Sequence, residues 1–142
     1  MEAKRSVQQY SSWLLIAFGG LLLMHIAVIA GLLPAEMVWG GQYQAGPELV
    51  KMEVIASVVT IVFALIVAGF SGRVSWLPDW LSKVGMYVLV PMFLLSVVGS
   101  YTSAHPVERY GLSLYSLALA VLGILLLRAK ARMSTRLVSP EP

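Results

Sequence analysis

Four stretches of this chain, residues 11–33, 54–72, 84–104 and 110–127, contain no Asp, Glu, Lys or Arg. Each approaches the roughly 20 apolar residues that a helix needs to cross about 30 Å of hydrocarbon. Within a bilayer only helices and closed β-barrels satisfy every backbone group, and the alternating segments of a barrel are absent. The pattern predicts an all-α fold: a polytopic membrane protein built as an antiparallel four-transmembrane-helix bundle. Its spans fall at about residues 11–33, 49–71, 84–104 and 111–128, within a single domain over residues 1–142. A composition of 58% apolar and 12% charged residues agrees, because soluble domains carry about a quarter charged residues.

The basic residues orient the bundle. Lys4 and Arg5 precede the first span, Arg73 and Lys83 lie between the second and third, and Arg128, Lys130, Arg132 and Arg136 follow the fourth. Only Lys51 and Arg109 fall in the other two connections. Lys and Arg collect on the cytoplasmic side, so both termini are expected there, an N-in/C-in topology, and nucleic acid is not expected as a partner. The basic leader, residues 1–10, resembles the start of a signal peptide, but the long apolar run after it reads as a retained anchor. The chain has no cysteine, which removes disulfides, thiolate metal sites and iron–sulfur clusters.

Residues 32–53, LLPAEMVWGGQYQAGPELVKME, must turn the chain outside the bilayer. Pro34 ends the first helix, and Ala35-Glu36 suits a short interfacial helix or turn. Trp39 before Gly40-Gly41 reads either as an interfacial anchor with a turn or as a loop that approaches a ligand. Pro47 and Glu48 suit the first turn of the second helix. Glu53 begins the row Glu53, Ser57, Thr60, Ala64 at helix-neighbour spacing, which predicts a face turned to protein or water. The alternative is that Glu53 reaches to headgroups or pairs with Lys51 or Arg109.

In the first span Ala17, Gly20, Met24, Ala27 and Gly31 form a mostly small stripe suited to close helix packing. His25 lies about 120° round the helix from that stripe, beside Phe18, Leu21 and Leu22, and about 13 Å along the axis from Pro34. It is either a hydrogen-bonding link between helices or a functional ionisable group. Residues 71–82, with Trp76, Leu77, Trp80 and Leu81, predict an amphipathic stretch on the cytoplasmic surface. Pro91 frees a carbonyl in the third span, whose outer third carries Ser96, Gly99, Ser100 and Ser103. The short connection over residues 101–110 makes the third and fourth helices neighbours. The last span has the row Ser113, Ser116, Ala120, Gly123, and the basic tail suits anionic headgroups.

Polar residues of the spans thus gather at the extracytoplasmic end, while the cytoplasmic halves read as almost purely aliphatic. One outward-facing cleft would be lined by Glu36, Trp39, Gly40, Gly41, Gln42, Glu53, Ser57, Ser100, Tyr101, His105, Arg109 and Tyr115, together with His25 and Ser96. His25 and Glu53 are the candidate catalytic pair, able to move protons. No metal and no cofactor is expected: histidine-pair metal spacings are absent, and His25 and His105 are poorly placed to share a haem, one mid-span and the other in a Pro-linked turn. Glycine-rich phosphate loops and nucleophile elbows are also missing.

Residues 34–42, P-A-E-M-V-W-G-G-Q, followed by Glu53, resemble a group of small four-span bacterial membrane proteins of unassigned function. The resemblance implies a bacterial inner (plasma) membrane location and makes Trp39, Gly40, Gly41 and Glu53 a unit. The layout is also loosely similar to the four-helix sterol-isomerase and sigma-2-receptor superfamily, whose members hold an amine or carbocation with intramembrane acids and histidine; this is an analogy of fold.

The expected function is binding, at the outward cleft, of a lipid-like or cationic ligand or of a partner membrane protein. The other readings are an intramembrane acid–base enzyme acting on a lipid-like substrate, and a small transporter protomer working as a homodimer. In each the lipid bilayer is a partner.

Overall fold

The computed structural model describes residues 2–138, with side chains to residue 135, so the side chain of Arg136 lies outside the described residues. Four long helices carry the fold: α1 (Glu2–Ile29), α2 (Pro47–Phe70), α3 (Asp79–Tyr101) and α4 (Ser113–Val138). All four, α4 taken with the turn before it, are long and apolar enough to cross a membrane. α1 packs on α2 and α4, and α3 packs on the same two.

The helix ends follow from local chemistry. Gly31 and Gly72 adopt φ of 70° and 77°, and Leu32 N–H and Arg73 N–H reach back to Ala27 O and Ala68 O, closing α1 and α2 with the same left-handed cap. Pro47 begins α2 with Glu48 in its first turn. α3 starts at Asp79, so Trp80 and Leu81 belong to its first turn; the stretch expected to be amphipathic over residues 71–82 is a bend leading into α3, with Trp76 and Trp80 both exposed. Pro91 is exposed inside α3, which continues unbroken across it.

Leu14, Phe18, Phe63, Met86, Leu89, Phe93, Leu119 and Leu126 fill the centre, while Ile16, Leu23, Val58, Ile61, Leu95 and Val98 are exposed on the outside. Lipid tails are as apolar as such a core, so helices in a bilayer are held by close packing and polar links more than by apolar burial. Gly85 permits one such close approach: a Cβ there would lie 2.6 Å from Ile66 Cδ1.

The most buried face of α1 carries Val7, Ser11, Leu14, Phe18, His25 and Val28. Part of the small stripe takes α4 closely, as expected: the Tyr115 hydroxyl donates to Ala17 O and would sit 3.0 Å from a Cβ at Gly20. One expectation fails: polar groups are not confined to the Glu53 end. Because α1 begins at Glu2, it carries Gln8, Ser11 and Ser12 onto the α2–α3 bend. There Gln8 Nε2 donates to Ser71 O at 3.1 Å, and Arg73 donates to Ser12 Oγ at 2.5 Å and Gln8 O at 3.2 Å.

Candidate functional site

Glu53 is fully buried on α2. Its Oε1 accepts the Trp39 indole N–H at 2.7 Å, and its Oε2 lies 2.6 Å from His25 Nδ1. Taking Glu53 as a carboxylate, which can only accept, and the ring as neutral assigns the shared proton to Nδ1 and leaves Nε2 an acceptor. Neither Lys51 nor Arg109 approaches: His25–Glu53 is the one ion-pair contact among the described residues. The row begun by Glu53 faces inward as expected, with Thr60 buried and Ser57 and Ala64 partly so.

Trp39 is brought there by an unusual turn. Trp39, Gly40 and Gly41 take φ of 56°, 67° and 70° in succession. For a residue with a bulky side chain this costs about 1–3 kcal/mol and persists where the surroundings over-determine it. The indole of the half-buried Trp39 is held by Glu53 and by Tyr43, whose ring meets it edge-on at 6.3 Å. Val28, Ala35, Val38 and Leu49 form a small core that fastens the loop to the helix ends.

The adjacent residue is tied to a second carboxyl. Glu108 is 6% exposed, and its Oε2 accepts Gly40 N–H and Ser103 Oγ–H, both at 2.7 Å. Sequence reasoning missed Glu108, and the reason is geometric. Residues Val107–Leu112 form a π-helical turn, in which Ser113 N–H bonds to Glu108 O, five residues back. Regular α spacing from the inward row Ser113, Ser116, Ala120, Gly123 points to Arg109; the extra residue of the π turn puts Glu108 there instead. Arg109 swings outward, donating to Tyr101 O at 3.0 Å with its guanidinium 5.7 Å from the Tyr101 ring.

Above Phe63 and Phe93, whose ring centroids lie 5.9 Å apart, α2 and α3 separate around a cavity of about 720 Å³. Its upper collar is His25, Trp39, Gly40, Gln42, Ser100 and Glu108, and its lower wall is Ile55, Val59, Phe63, Met92 and Phe93. A smaller space of about 200 Å³ shares His25, Trp39 and Glu108 with it and adds Glu53 and Tyr115. Ser96, beside both, pairs with Ser116 at 3.0 Å.

No protein-family model matches this chain, and no curated protein or solved structure matches it.

Of the residues expected to share one cleft, Trp39, Gly40, Gln42, Glu53, Ser100 and Tyr115 meet with His25 around these spaces. Glu36, Gly41, Ser57, Tyr101, His105 and Arg109 line neither of them. Glu36 is exposed on the short turn Ala35–Met37, and Ser57 donates back to Glu53 O within α2. His105 stays in the α3–α4 connection, its Nδ1 accepting Val107 N–H at 3.3 Å. Among the described residues no three of His, Asp and Glu converge as metal ligands.

His25 Nε2 and Glu108 Oε1 have no protein partner among the described residues. No fully buried side-chain N or O there lacks a partner, so both atoms are accessible. His25 is only 7% exposed, and both residues line the larger cavity, which is the surface that reaches them. The collar therefore offers two acceptors, two carboxyl groups and no Lys or Arg.

Proposed function

We propose that this chain is a multi-pass protein of the bacterial inner membrane that binds a lipid-like or cationic ligand in the cavity between α2 and α3. In this reading it is an antiparallel bundle with both termini cytoplasmic. Bonds from late α1 to early α2, His25 to Glu53, and from early α1 to the end of α2, Gln8 to Ser71, support opposed helix directions. The basic residues gathered at one end support the orientation.

The observation that carries the binding reading is the polarity gradient within one cavity. A space of about 720 Å³ lies in the range of ligand sites, and its free acceptors sit at one end with an aliphatic and aromatic wall at the other. A ligand with an apolar body and a donating or cationic head complements both. Native mass spectrometry of the protein purified in mild detergent should show a retained small molecule, and Val59→Trp, which fills the lower wall, should abolish retention while helicity by circular dichroism is unchanged. Absence of any retained or added amphiphile from the unmodified protein overturns the reading.

A second reading rests on the His25–Glu53 bond. A carboxylate that orients an imidazole and leaves Nε2 open to a cavity is the arrangement of a general base, which supports acid–base chemistry on the bound molecule. His25→Ala should then abolish turnover while ligand retention, still supported by Glu108 and the apolar wall, falls only in part. A phenotype preserved in His25→Ala removes this reading and leaves the pair as a structural link.

A further inference from the structure

A second feature lies at the opposite end of the molecule, between the first turns of α1 and the last turns of α4. Glu2, Ser6 and Tyr10 face Arg128, Arg132 and Thr135 across a groove of about 540 Å³ floored by Ala3, Leu125 and Ala129. Arg128 and Arg132 are about 6 Å apart along the axis of α4, one turn, and both line the groove. Neither makes a side-chain hydrogen bond or ion pair among the described residues, and Glu2 has no basic partner within 4.0 Å. Lys130, between them in sequence, points elsewhere, its Nζ 5.5 Å from the centre of the Phe70 ring. The basic tail expected from sequence to meet anionic headgroups is therefore divided: two guanidiniums serve one groove and one ammonium a different face.

We propose that this groove is a binding site for the headgroup of an anionic phospholipid. The two arginines and Glu2 leave one net positive charge, which matches a headgroup with a single negative charge. Planar guanidiniums one turn apart present paired N–H groups to phosphate oxygens, a geometry that lysine does not supply. The Tyr10 hydroxyl is a further donor on the same groove. The apolar surroundings set the occupant as a lipid and not a free anion, because Tyr10 also lines an adjoining apolar groove between α1 and α4 with Trp13, Ile16, Ala17 and Leu122, where acyl chain can lie. This site is independent of the cavity at the Glu53 end.

The test uses the full chain in nanodiscs containing equal amounts of phosphatidylglycerol and phosphatidylcholine with identical acyl chains, with release into native mass spectrometry. The unmodified protein should retain phosphatidylglycerol over phosphatidylcholine by about thirtyfold, given about 1 kcal/mol for each of the two arginines. Arg128→Gln with Arg132→Gln should bring the ratio to about one, and Arg132→Gln alone should lower it, whereas Lys130→Gln, which removes the same charge outside the groove, should leave it unchanged. Equal loss in Lys130→Gln means diffuse charge and overturns the site. So does an unmodified protein with no preference, and so does displacement of the lipid by millimolar inorganic phosphate, which would mark a soluble anion as the occupant.

Discussion

Glu53 holds two donors at once, and substitutions there separate what each bond contributes. Glu53→Leu leaves the Trp39 and His25 N–H groups unpaired inside the bundle and should lower stability in detergent by about 1–3 kcal/mol, read as a drop in Tm. Glu53→Gln should be much milder. Its carbonyl can accept from Trp39 while its amide donates to His25 Nδ1, provided the imidazole moves its proton to Nε2. Nitrogen NMR of a His25-labelled sample should show that tautomer exchange; an unchanged Nδ1–H signal would refute the assignment. His25 and Glu53 were legible as inward-facing singletons because ionisable groups in an apolar span have few tolerable places to point. They were also expected to work as a pair; Trp39 as the second donor on the same carboxyl was not legible as a contact, since it depends on a turn at positive φ.

At the level of elements, hydropathy registers the apolar part of a helix and is blind to the polar turns that extend it. That is why α1 runs from Glu2 and α3 from Asp79, earlier than the charge-free windows begin. The π turn over Val107–Leu112 was beyond periodicity for a similar reason: one inserted residue exchanges Glu108 for Arg109 on the inward face, and any fixed angle per residue must pick the wrong one. Deleting Gly111 should restore α-helical register, bring Arg109 inward and release Glu108 from Gly40. The expected result is a protein that still inserts and stays helical but no longer retains its ligand; retention by the deletion variant would show that Glu108 is dispensable. On the opposite side of the bundle, Gly85→Val should force α2 and α3 apart at Ile66 and lower stability by about 1–3 kcal/mol through overpacking.

For the whole molecule, four spans were readable because a bilayer leaves a backbone so few choices, and charge placement is what supports the proposed direction. Reporter fusions check the proposed topology: a reporter active only outside the cytoplasm should work at Gln44 and fail at the C-terminus. Activity at both positions would demand an even number of crossings between them and would overturn the three spans α2, α3 and α4. What composition could not reveal is that polar groups cluster at both ends of the bundle, and for different ends. Those near Arg73 satisfy one another, whereas those near Glu53 leave atoms open.

Trp39 and Gly40 are neighbours in sequence, yet one is moored to α2 and the other to the turn that leads into α4. The dipeptide is thus a crossbar over the mouth of the cavity, spanning the two helix pairs that flank it. Moving Glu53 and Glu108 apart across that mouth has to stretch the bar or break one of its two hydrogen bonds, so the loop sets how far these two carboxyl groups stand from each other.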